Sequence, residues 1–444
     1  MGSARTKCTQ RLALRQVECQ QDAARDNAPV TDLALAQWLT SPSAAAILDH
    51  AQALEPSSTS PSASITASGA LRRAFPELSP EQCAAAMTQV DLRRRAVERY
   101  GINGTQFLTR DGLEQATQPV VASRRAAMLV AAGCTRVADL TAGLGFDASA
   151  FVAAGLAVTA VERSPETAVL LAANVPSARL VIGDATDNAT RAEATSELGP
   201  SDVIFVDPAR RDASGRRTPD GARAQSERDP ERWSPPWSFV ASLADDHRVC
   251  VKAAPGFPPD RLPVGWHGEW TSVAGTATEA CLWSWPAFEA TRRAVRIEPA
   301  AHGRDAWVAE FGGTGLSGQV DVTAVAGSIH EPDPSIIKAG LIDDLAADLR
   351  LTRLDAHSAW LTGGDVSSPF VRSYRVEDLL PSDAKALRRS LRERGIGALT
   401  IKGRATGIDP DALRRRLALI GPNTATIVVT VSMGRRITLL VTPR

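Results

Sequence analysis

The sequence predicts an α/β protein in which a parallel sheet domain is preceded by a helical region and followed by an α+β region. From residue 137 to residue 285, short apolar runs alternate with helical stretches, which is typical of a parallel sheet with helices on both faces. After Pro286 the alternation stops, and short strands mix with helices in no regular order. The predicted regions are a disordered segment (1–30), a helical region (31–132), the sheet domain (133–290) and the α+β region (291–444).

Composition excludes several classes of protein. Lys and Arg number 50, and Asp and Glu also number 50, so a wholly basic nucleic-acid binder is excluded, although a local basic face is not. The six cysteines include no CxxC pair, and the six histidines show no metal spacing, which argues against a disulfide framework or a metal site. No apolar run approaches the ~18 residues that a membrane helix needs, so we expect a cytoplasmic protein that binds neither metal nor membrane.

In the helical region, apolar periodicity predicts helices near 33–39, 79–100 and 111–132. Ser79 precedes Pro80 and an acidic first turn, which is typical of a helix start, and Gly101 marks the end of that helix. Residues 55–68 are rich in Ser and Pro and are predicted to form a linker or loop.

The sheet domain is predicted from five buried strands, at 137–140, 157–161, 179–182, 203–206 and 249–251. Helices are expected between them, at 147–154, 165–174 and 236–244. A final hairpin is predicted from two strands, 270–273 and 280–285, joined by 274–279. Further strands are predicted in the α+β region at 295–298, 307–311, 319–325, 398–402, 426–431 and 437–441, with helices near 334–350, 376–394 and 410–419.

Acidic residues and glycines stand at the carboxyl ends of the predicted strands. The segment Asp139-Leu-Thr141-Ala-Gly143-Leu-Gly145 opens a helix after the first strand, where glycines let the backbone approach a ligand. Glu162 closes the second strand 23 residues after Asp139, a distance at which an acid accepts hydrogen bonds from ribose hydroxyls. Asp184 and Asp207 close the third and fourth strands. Because open α/β sheets bind ligands at these ends, the spacing predicts a cleft for a nucleotide-type cofactor.

Residues 137–285 therefore resemble class I S-adenosylmethionine-dependent methyltransferases. The resemblance implies a Rossmann-like sheet with S-adenosyl-L-methionine as the cofactor. It places Gly143 and Gly145 against the methionine part, Asp139 near the amino group, Glu162 at the ribose and Asp184 at the adenine. The implied cofactor-binding residues are Asp139, Thr141, Gly143, Gly145, Glu162, Arg163, Asp184 and Ala185. Residues 112–117 are expected to close over the cofactor.

The tail resembles a second known domain. Its segment Ile401-Lys-Gly-Arg-Ala-Thr-Gly-Ile-Asp-Pro-Asp-Ala-Leu-Arg-Arg-Arg416 is similar to the THUMP-like domain that follows such methyltransferase domains in bacterial proteins, here at about 360–444. THUMP domains bind RNA, so the resemblance implies a structured RNA, tRNA or rRNA, as the partner. Residues 385–444 carry 13 Lys and Arg against 3 acids, an excess that also favours a polyanion.

The fourth strand bears on the reaction. Families that methylate exocyclic base nitrogens carry (Asp/Asn/Ser)-Pro-Pro-aromatic at this place, because a carboxylate or amide and a neighbouring carbonyl accept the protons of the amine. Here Asp207 and Pro208 match and are expected to be catalytic, whereas Ala209 and Arg210 depart from the pattern. The pattern therefore predicts methylation of a base exocyclic nitrogen.

Lys252 supports an alternative reaction. It ends the fifth strand and could act as a base, so that Asp207, Lys252 and Glu279 would resemble ribose 2′-O-methyltransferases. That family has a further Lys upstream, where this chain offers Arg124 or Arg125, and Arg stays protonated. A non-RNA substrate, or a non-catalytic RNA-binding module, is the remaining alternative.

Arginines and tryptophans are the candidates for substrate contacts. The predicted substrate-binding residues are Arg210, Arg211, Arg414, Arg415 and Arg416. The loop at 208–232 is a candidate lid or binding arm because it is long, polar and next to the cleft. Trp233 and Trp237 are candidates for stacking on a base.

Overall fold

A computed structural model describes residues 32–54, 61–101, 104–209, 229–300, 305–315, 320–403 and 407–444. The predicted disorder of 1–30, most of the 208–232 loop, and both Arg210 and Arg211 lie outside the described residues. The chain divides into two compact units, one ending at Lys252 and the other beginning at Ala253. The domain bounds predicted from the sequence, with the sheet domain at 133–290, stay a prediction.

Over the described residues before the first strand, the helices of the first unit are α1 Asp32–Leu39, α2 Pro42–Ala53, α3 Pro61–Ala74, α4 Pro80–Tyr100, α5 Arg110–Gln115 and α6 Pro119–Ala131. The predicted start of α4 is confirmed, because the Ser79 hydroxyl accepts from the Gln82 amide and the Gln82 side chain accepts from the Ser79 amide. The predicted linker at 55–68 is wrong from Pro61 onward. Pro61 stands in the first turn of α3, where its fixed φ suits a helix, and buried Ala67 and Leu71 hold α3 against the core.

The sheet of the first unit confirms the predicted alternation. Its strands are β1 Arg136–Asp139, β2 Ala157–Glu162, β3 Arg179–Ile182, β4 Val203–Val206 and β5 Arg248–Ala253, and the helices between them are α7 Phe146–Ala153, α8 Pro165–Asn174, α9 Asn188–Thr195 and α10 Trp237–Ser242. The strands are parallel and lie in the order β3-β2-β1-β4-β5. The strand order therefore reverses between β1 and β4, the point at which open α/β sheets place a ligand.

The second unit begins with strands β6 His267–Val273, β7 Thr276–Trp283, β8 Arg292–Glu298 and β9 Trp307–Gly313, in the order β7-β6-β8-β9. The predicted hairpin is present, since β6 and β7 are antiparallel. Its connection is two residues, Ala274 and Gly275, both with positive φ, rather than the six that were predicted. A two-residue turn of this kind matches the twist of the two strands, and because it is short the second strand begins earlier in the chain than predicted.

A second, seven-stranded sheet completes this unit, in the order β11-β12-β10-β13-β16-β15-β14. Its strands are β10 Ser328–Pro332, β11 Thr352–Arg353, β12 Leu361–Gly363, β13 Val371–Leu380, β14 Ile396–Gly403, β15 Asn423–Ser432 and β16 Arg435–Pro443, and its helices are α11 Pro334–Ala339, α12 Ile342–Asp348, α13 Ala384–Glu393 and α14 Pro410–Leu417.

Three predictions for this region are corrected by the structure. The helix predicted at 376–394 begins only at Ala384, because the carboxylate of Asp383 accepts from the amides of Lys385 and Ala386. The residues before it form β13, where Tyr374 is buried against Trp360. The helix predicted at 334–350 is two helices, because α11 ends at Gly340 in the left-handed region. The strand predicted at 319–325 is reduced, over the described residues, to a bridge between Val322 and Arg353.

Candidate active site

A cavity of about 440 Å³ opens at the carboxyl ends of the parallel strands in the first unit. This volume lies within the range of small-molecule sites. The predicted residues that line it are Asp139, Thr141, Gly143, Glu162, Arg163, Asp184, Ala185, Asp207 and Lys252. Gly112, Gln115 and Thr117, from the segment expected to close over the cofactor, line it as well. The sheet topology thus brings together groups that are up to 140 residues apart in the chain.

Glu162 ties the end of β2 to the turn after β1. One carboxylate oxygen accepts from the Gly143 amide at 3.1 Å, and the other accepts from the Ser164 amide at 2.8 Å. Burial raises the pKa of Glu162, and the two backbone hydrogen bonds partly offset this effect. Each oxygen keeps a lone pair for a further donor, which is what a ribose diol would supply.

Asp184 stands after β3 in a more exposed position. Its Oδ1 accepts from the Thr186 hydroxyl at 2.7 Å and from the Thr186 amide at 2.8 Å. These hydrogen bonds lower the pKa of Asp184, so the group is an ionised acceptor near neutral pH.

Gly143 and Gly145 have different roles, although the sequence predicted the same role for both. Gly143 lines the cavity at φ +53, and nothing lies within 4 Å of the place where a Cβ would stand. Gly145 does not line the cavity. A Cβ on Gly145 would lie 2.5 Å from Leu171 Cδ1 and 2.6 Å from Val175 Cγ2, so this glycine is required by the packing of α7 on α8. Pro208 is buried and likewise does not line the cavity.

Thr141 joins the ends of β1 and β4. The amide of Asp207 donates to the Thr141 hydroxyl at 2.6 Å, and the Thr141 amide donates to Asp139 at 3.1 Å. Burial, together with the nearby carboxylate of Asp147, raises the pKa of Asp139 well above its ordinary range. The turn after β1 is therefore braced by side chains as well as by the backbone.

Lys252 forms an ion pair with Asp207, two residues that the sequence analysis had placed in one set. Its Nζ lies 2.6 Å from Asp207 Oδ2 and 3.4 Å from the Gln115 carbonyl oxygen. A further carboxylate, Asp147 of α7, lies 3.9 Å away. Asp147 in turn accepts from the Thr117 hydroxyl at 2.6 Å and pairs with Arg125. Of the two upstream arginines that the sequence offered, Arg125 is thus the one connected to this network.

The sequence analysis singled out Trp233 but not the Ser234–Pro236 segment that follows it in the cavity wall. Trp233, Ser234, Pro235 and Pro236 line the cavity, and backbone hydrogen bonds of 2.8 and 2.9 Å pair Ser234 with Ala209. The signal was present in the sequence, because Ser234-Pro235-Pro236-Trp237 fits the (Asp/Asn/Ser)-Pro-Pro-aromatic pattern. The pattern was expected directly after β4, whereas this segment begins 28 residues after Val206, the last residue of β4, and lies beside Ala209. Trp237 itself does not line the cavity but stacks edge-on with Trp233.

Other predicted residues lie elsewhere. Glu279 is buried on β7, in the second unit, and its part in the Asp–Lys–Glu set stays a prediction. Arg414, Arg415 and Arg416 are in the last turn of α14. All three are exposed, and Arg414 in addition pairs with Asp411 and donates to the Leu399 carbonyl.

The cavity suits S-adenosylmethionine on the chemistry of its lining. The open space beside Gly143 accommodates a ligand against the backbone, Glu162 and Asp184 accept hydrogen bonds, and the excess of carboxylates complements a cationic sulfonium and amino group. Within the described residues, no group of His, Cys, Asp and Glu is arranged to hold a metal ion. None of the described helices is long and apolar enough to cross a bilayer. A Rossmann-like sheet with this lining at its switch point defines a class I methyltransferase.

Comparisons with known proteins agree. Over 352 residues the chain is 33% identical to an uncharacterized S-adenosylmethionine-dependent methyltransferase of Mycobacterium tuberculosis, found in strains CDC 1551 / Oshkosh and H37Rv, a match that covers 76% of this chain and 90% of the relative. The fold resembles that of a protein from Porphyromonas gingivalis W83 assigned as a methyltransferase, with a TM-score of 0.65 and 20% identity over 92% of this chain and 97% of that one. Family models match residues 371–443, as THUMP domain-like, and residues 32–96, as a domain of unknown function.

The chain therefore belongs to the S-adenosylmethionine-dependent methyltransferases, and it carries a THUMP-like domain at its C-terminus. The predicted family, fold and cofactor are confirmed. The predicted roles of individual site residues stay predictions.

Proposed function

We propose that this methyltransferase acts on structured RNA, tRNA or rRNA, and methylates an exocyclic amino nitrogen of a base. The observation that carries the proposal is the hydrogen-bonding character of the cavity wall next to Asp207. Among the described residues, this part of the wall offers a ligand the Asp207 carboxylate as an acceptor and no free backbone amide at Asp207, Ala209 or Ser234, and an amino group is the base substituent that such a surface complements.

The first part of the wall follows β4. The Asp207 amide already donates a hydrogen bond to the Thr141 hydroxyl, and the Ala209 amide donates one to the Ser234 carbonyl. Pro208 has no amide hydrogen. What remains for a ligand is the Asp207 carboxylate, whose side chain is 26% exposed. A carboxylate held in this way accepts hydrogen bonds but offers none.

The second part of the wall is the Ser234–Pro236 segment. The Ser234 amide donates a hydrogen bond to the Ala209 carbonyl, and Pro235 and Pro236 have no amide hydrogens. The Ser234 hydroxyl lies 3.4 Å from the Arg163 guanidinium, which donates to it. An amino group, with two hydrogens to donate, finds an acceptor in the Asp207 carboxylate, whereas a base carbonyl or ring nitrogen finds no free backbone amide at these positions.

The proposed chemistry is a direct transfer. Bound S-adenosylmethionine supplies an electrophilic methyl group on a sulfonium. Asp207 accepts a hydrogen bond from the amine and orients the nitrogen lone pair towards that methyl group. As the nitrogen forms its bond to the methyl carbon, the carbon–sulfur bond would break, with its electron pair kept by the sulfur as the neutral thioether of S-adenosylhomocysteine. The nitrogen becomes cationic, and Asp207 takes the proton that it then loses. Exclusion of water by the buried wall strengthens both interactions.

Lys252 fits the alternative, ribose 2′-O-methylation, less well. A general base needs a lone pair on its nitrogen, but an ammonium group has three donors and no lone pair. Two carboxylates, Asp207 and Asp147, lie within 4 Å of Nζ and stabilise its ammonium form. We therefore assign Lys252 the role of counter-ion to Asp207 rather than that of a base.

RNA is supported by the C-terminal region. The THUMP domain-like match covers 371–443, and Arg415 and Arg416 are exposed in the last turn of α14. On the neighbouring helix α13, Lys385, Arg389 and Arg392 are exposed as well. Exposed cations of this kind bind phosphates without reading sequence, so they would add affinity for any structured RNA.

The test is methyl transfer from isotopically labelled S-adenosylmethionine to total RNA from a strain that lacks this gene, followed by mass spectrometry of the nucleosides. We expect an N-methylated base, and no product with Asp207→Ala. A 2′-O-methyl nucleotide would instead establish the alternative reaction, and labelled protein or DNA with unlabelled RNA would refute the RNA substrate.

A further inference from the structure

The cleft carboxylate Asp207 is held by a chain of buried charges, and one member of that chain lies away from the reacting groups. We propose that Asp147 is a positioning residue for methyl transfer, which holds Lys252 in place and through Lys252 fixes the Asp207 carboxylate. This inference rests on the proposed function for its activity test, but not for its structural test.

Asp147 is held firmly in place. It is the second residue of α7, and its side chain is 8% exposed. Its Oδ2 accepts from the Thr117 hydroxyl at 2.6 Å, and its Oδ1 pairs with Arg125, whose guanidinium lies 5.1 Å from the centre of the Phe205 ring. In the first turn of a helix, the unpaired amides also favour a negative charge. Three independent elements therefore fix where this carboxylate stands.

Lys252 is held from both ends. Its side chain is 7% exposed, and Nζ lies 3.9 Å from Asp147 Oδ2 and 2.6 Å from Asp207 Oδ2. The Gln115 carbonyl accepts a further hydrogen bond from it. A Lys side chain has four rotatable bonds, so without a second anchor Nζ could follow Asp207 into several positions. Asp147 and the Gln115 carbonyl remove this freedom.

The arrangement has an electrostatic reason as well. Along the line Arg125, Asp147, Lys252, Asp207 the charges alternate, and only Asp207, at the end, is more than a tenth exposed. Asp147 stands next to both cations, Arg125 and Lys252. Neutralising it would leave two buried cations without the carboxylate that they share, and Lys252 would lose its fixed position.

The structural test uses lysine reactivity in the full-length protein. Pulse acetylation with acetic anhydride, read out by peptide mass spectrometry, reports how readily each amine is freed. We expect Lys252 to be labelled several-fold faster in Asp147→Asn than in the wild type. The exposed Lys338 and Lys385 serve as internal standards, and Lys402, which pairs with Glu331 in the second unit, reports general loosening.

Two results would overturn the proposal in this test. One is an unchanged labelling rate at Lys252, because Asp147 would then not restrain it. The other is an equal rise at Lys402, because the substitution would then act on the whole fold. Thr117→Val is the second variant in case Asp147→Asn does not fold. It keeps the charge and removes only the hydroxyl that orients Asp147, and we expect it to raise Lys252 labelling by a smaller factor.

The activity test is a double-mutant cycle with Lys252→Met, an unbranched apolar replacement that suits a buried site. Asp147→Asn is expected to lower kcat by about 10- to 100-fold and to leave the Kd of S-adenosylhomocysteine within about threefold. If Asp147 acts through Lys252, the double variant is no slower than Lys252→Met alone. If the fall in kcat of the double variant equals the product of the two single falls, the positioning role is refuted. Absence of RNA methylation by the wild type would contradict the proposed function, while the labelling result would still decide the inference.

Discussion

Two regions of this methyltransferase use cations in opposite ways. In the cleft, Lys252 is buried and its Nζ lies within 4 Å of two carboxylates, which hold the ammonium group in one position. In the last turn of α14, Arg415 and Arg416 are exposed. A buried pair is little screened by salt and serves positioning, whereas exposed cations exchange counter-ions freely and serve affinity. The proposed function thus assigns positioning to the buried cation and phosphate binding to the exposed ones.

The largest expected effect lies in the cleft. Asp207→Ala removes the acceptor that orients the amine, and we expect kcat to fall by about 10²–10⁴-fold, the range typical of a lost acid–base group. Isothermal titration of S-adenosylhomocysteine should still give a Kd near the wild-type value. Asp207→Asn is the matched control, because an amide oxygen still accepts a hydrogen bond, and it should retain more activity than the Ala variant. Equal activity of Asp207→Ala and the wild type would contradict the role of this carboxylate.

The two glycines after β1 sharpen the comparison within the cleft. Gly145→Ala places a Cβ about 2.5 Å from Leu171 and Val175 in a left-handed backbone, so we expect it to destabilise the protein by about 2–4 kcal/mol. Gly143→Ala meets no atom within 4 Å and should cost about 1–2 kcal/mol for its backbone alone, while it lowers cofactor affinity. Thermal denaturation combined with S-adenosylhomocysteine titration separates the two effects. A similar loss of stability in both variants would show that the distinction between packing and binding is wrong.

The buried carboxyl of Asp139 gives a pH-dependent effect of intermediate size. Its folded-state pKa is raised above the unfolded value of about 3.9, so the folded state binds this proton more tightly. The stability that the group contributes is present below the unfolded pKa and is lost as the pH rises through the folded pKa. Asp139→Asn lacks this titration. Its Tm should therefore exceed that of the wild type by a few degrees at pH 8, and the difference should narrow towards pH 5 in differential scanning fluorimetry. A difference that is constant over this range would contradict the raised pKa.

The smallest effect is expected on the basic helix. Replacing Arg415 and Arg416 by Gln should weaken RNA binding several-fold, with a shallower dependence of log K on log salt by up to about 2, because fewer counter-ions are released. Arg414 is left in place because Asp411 and the Leu399 carbonyl already engage it. Arg95→Gln combined with Arg99→Gln on α4 is a control with the same change in charge. Filter binding across a salt titration provides the measurement, and an unchanged slope would show that α14 does not contact the RNA.

Local patterns were sufficient for most elements. The capping box at Ser79, the five apolar runs of β1–β5 and the glycine-rich turn after β1 all act over a few residues, and all were read correctly from the chain. Errors arose where two local signals competed. The helix predicted at 376–394 included residues 376–380, but pairing with β16 makes this segment part of a strand. At Pro61 a composition typical of loops yields a helix because its apolar residues meet a core.

For the site, the sequence by itself determined which groups stand at the ends of the parallel strands, because strand ends and acidic residues are both local features. Asp139, Glu162, Asp184 and Asp207 were found in this way. The tertiary structure alone decided which of them touch. It separated Gly143 from Gly145, paired Lys252 with Asp207 and joined Asp147 to Arg125. It also placed the Ser234–Pro236 segment beside Ala209 through backbone hydrogen bonds. These contacts join positions between 22 and 45 residues apart, and their partners are determined by strand order and helix packing, which no short window of the sequence contains.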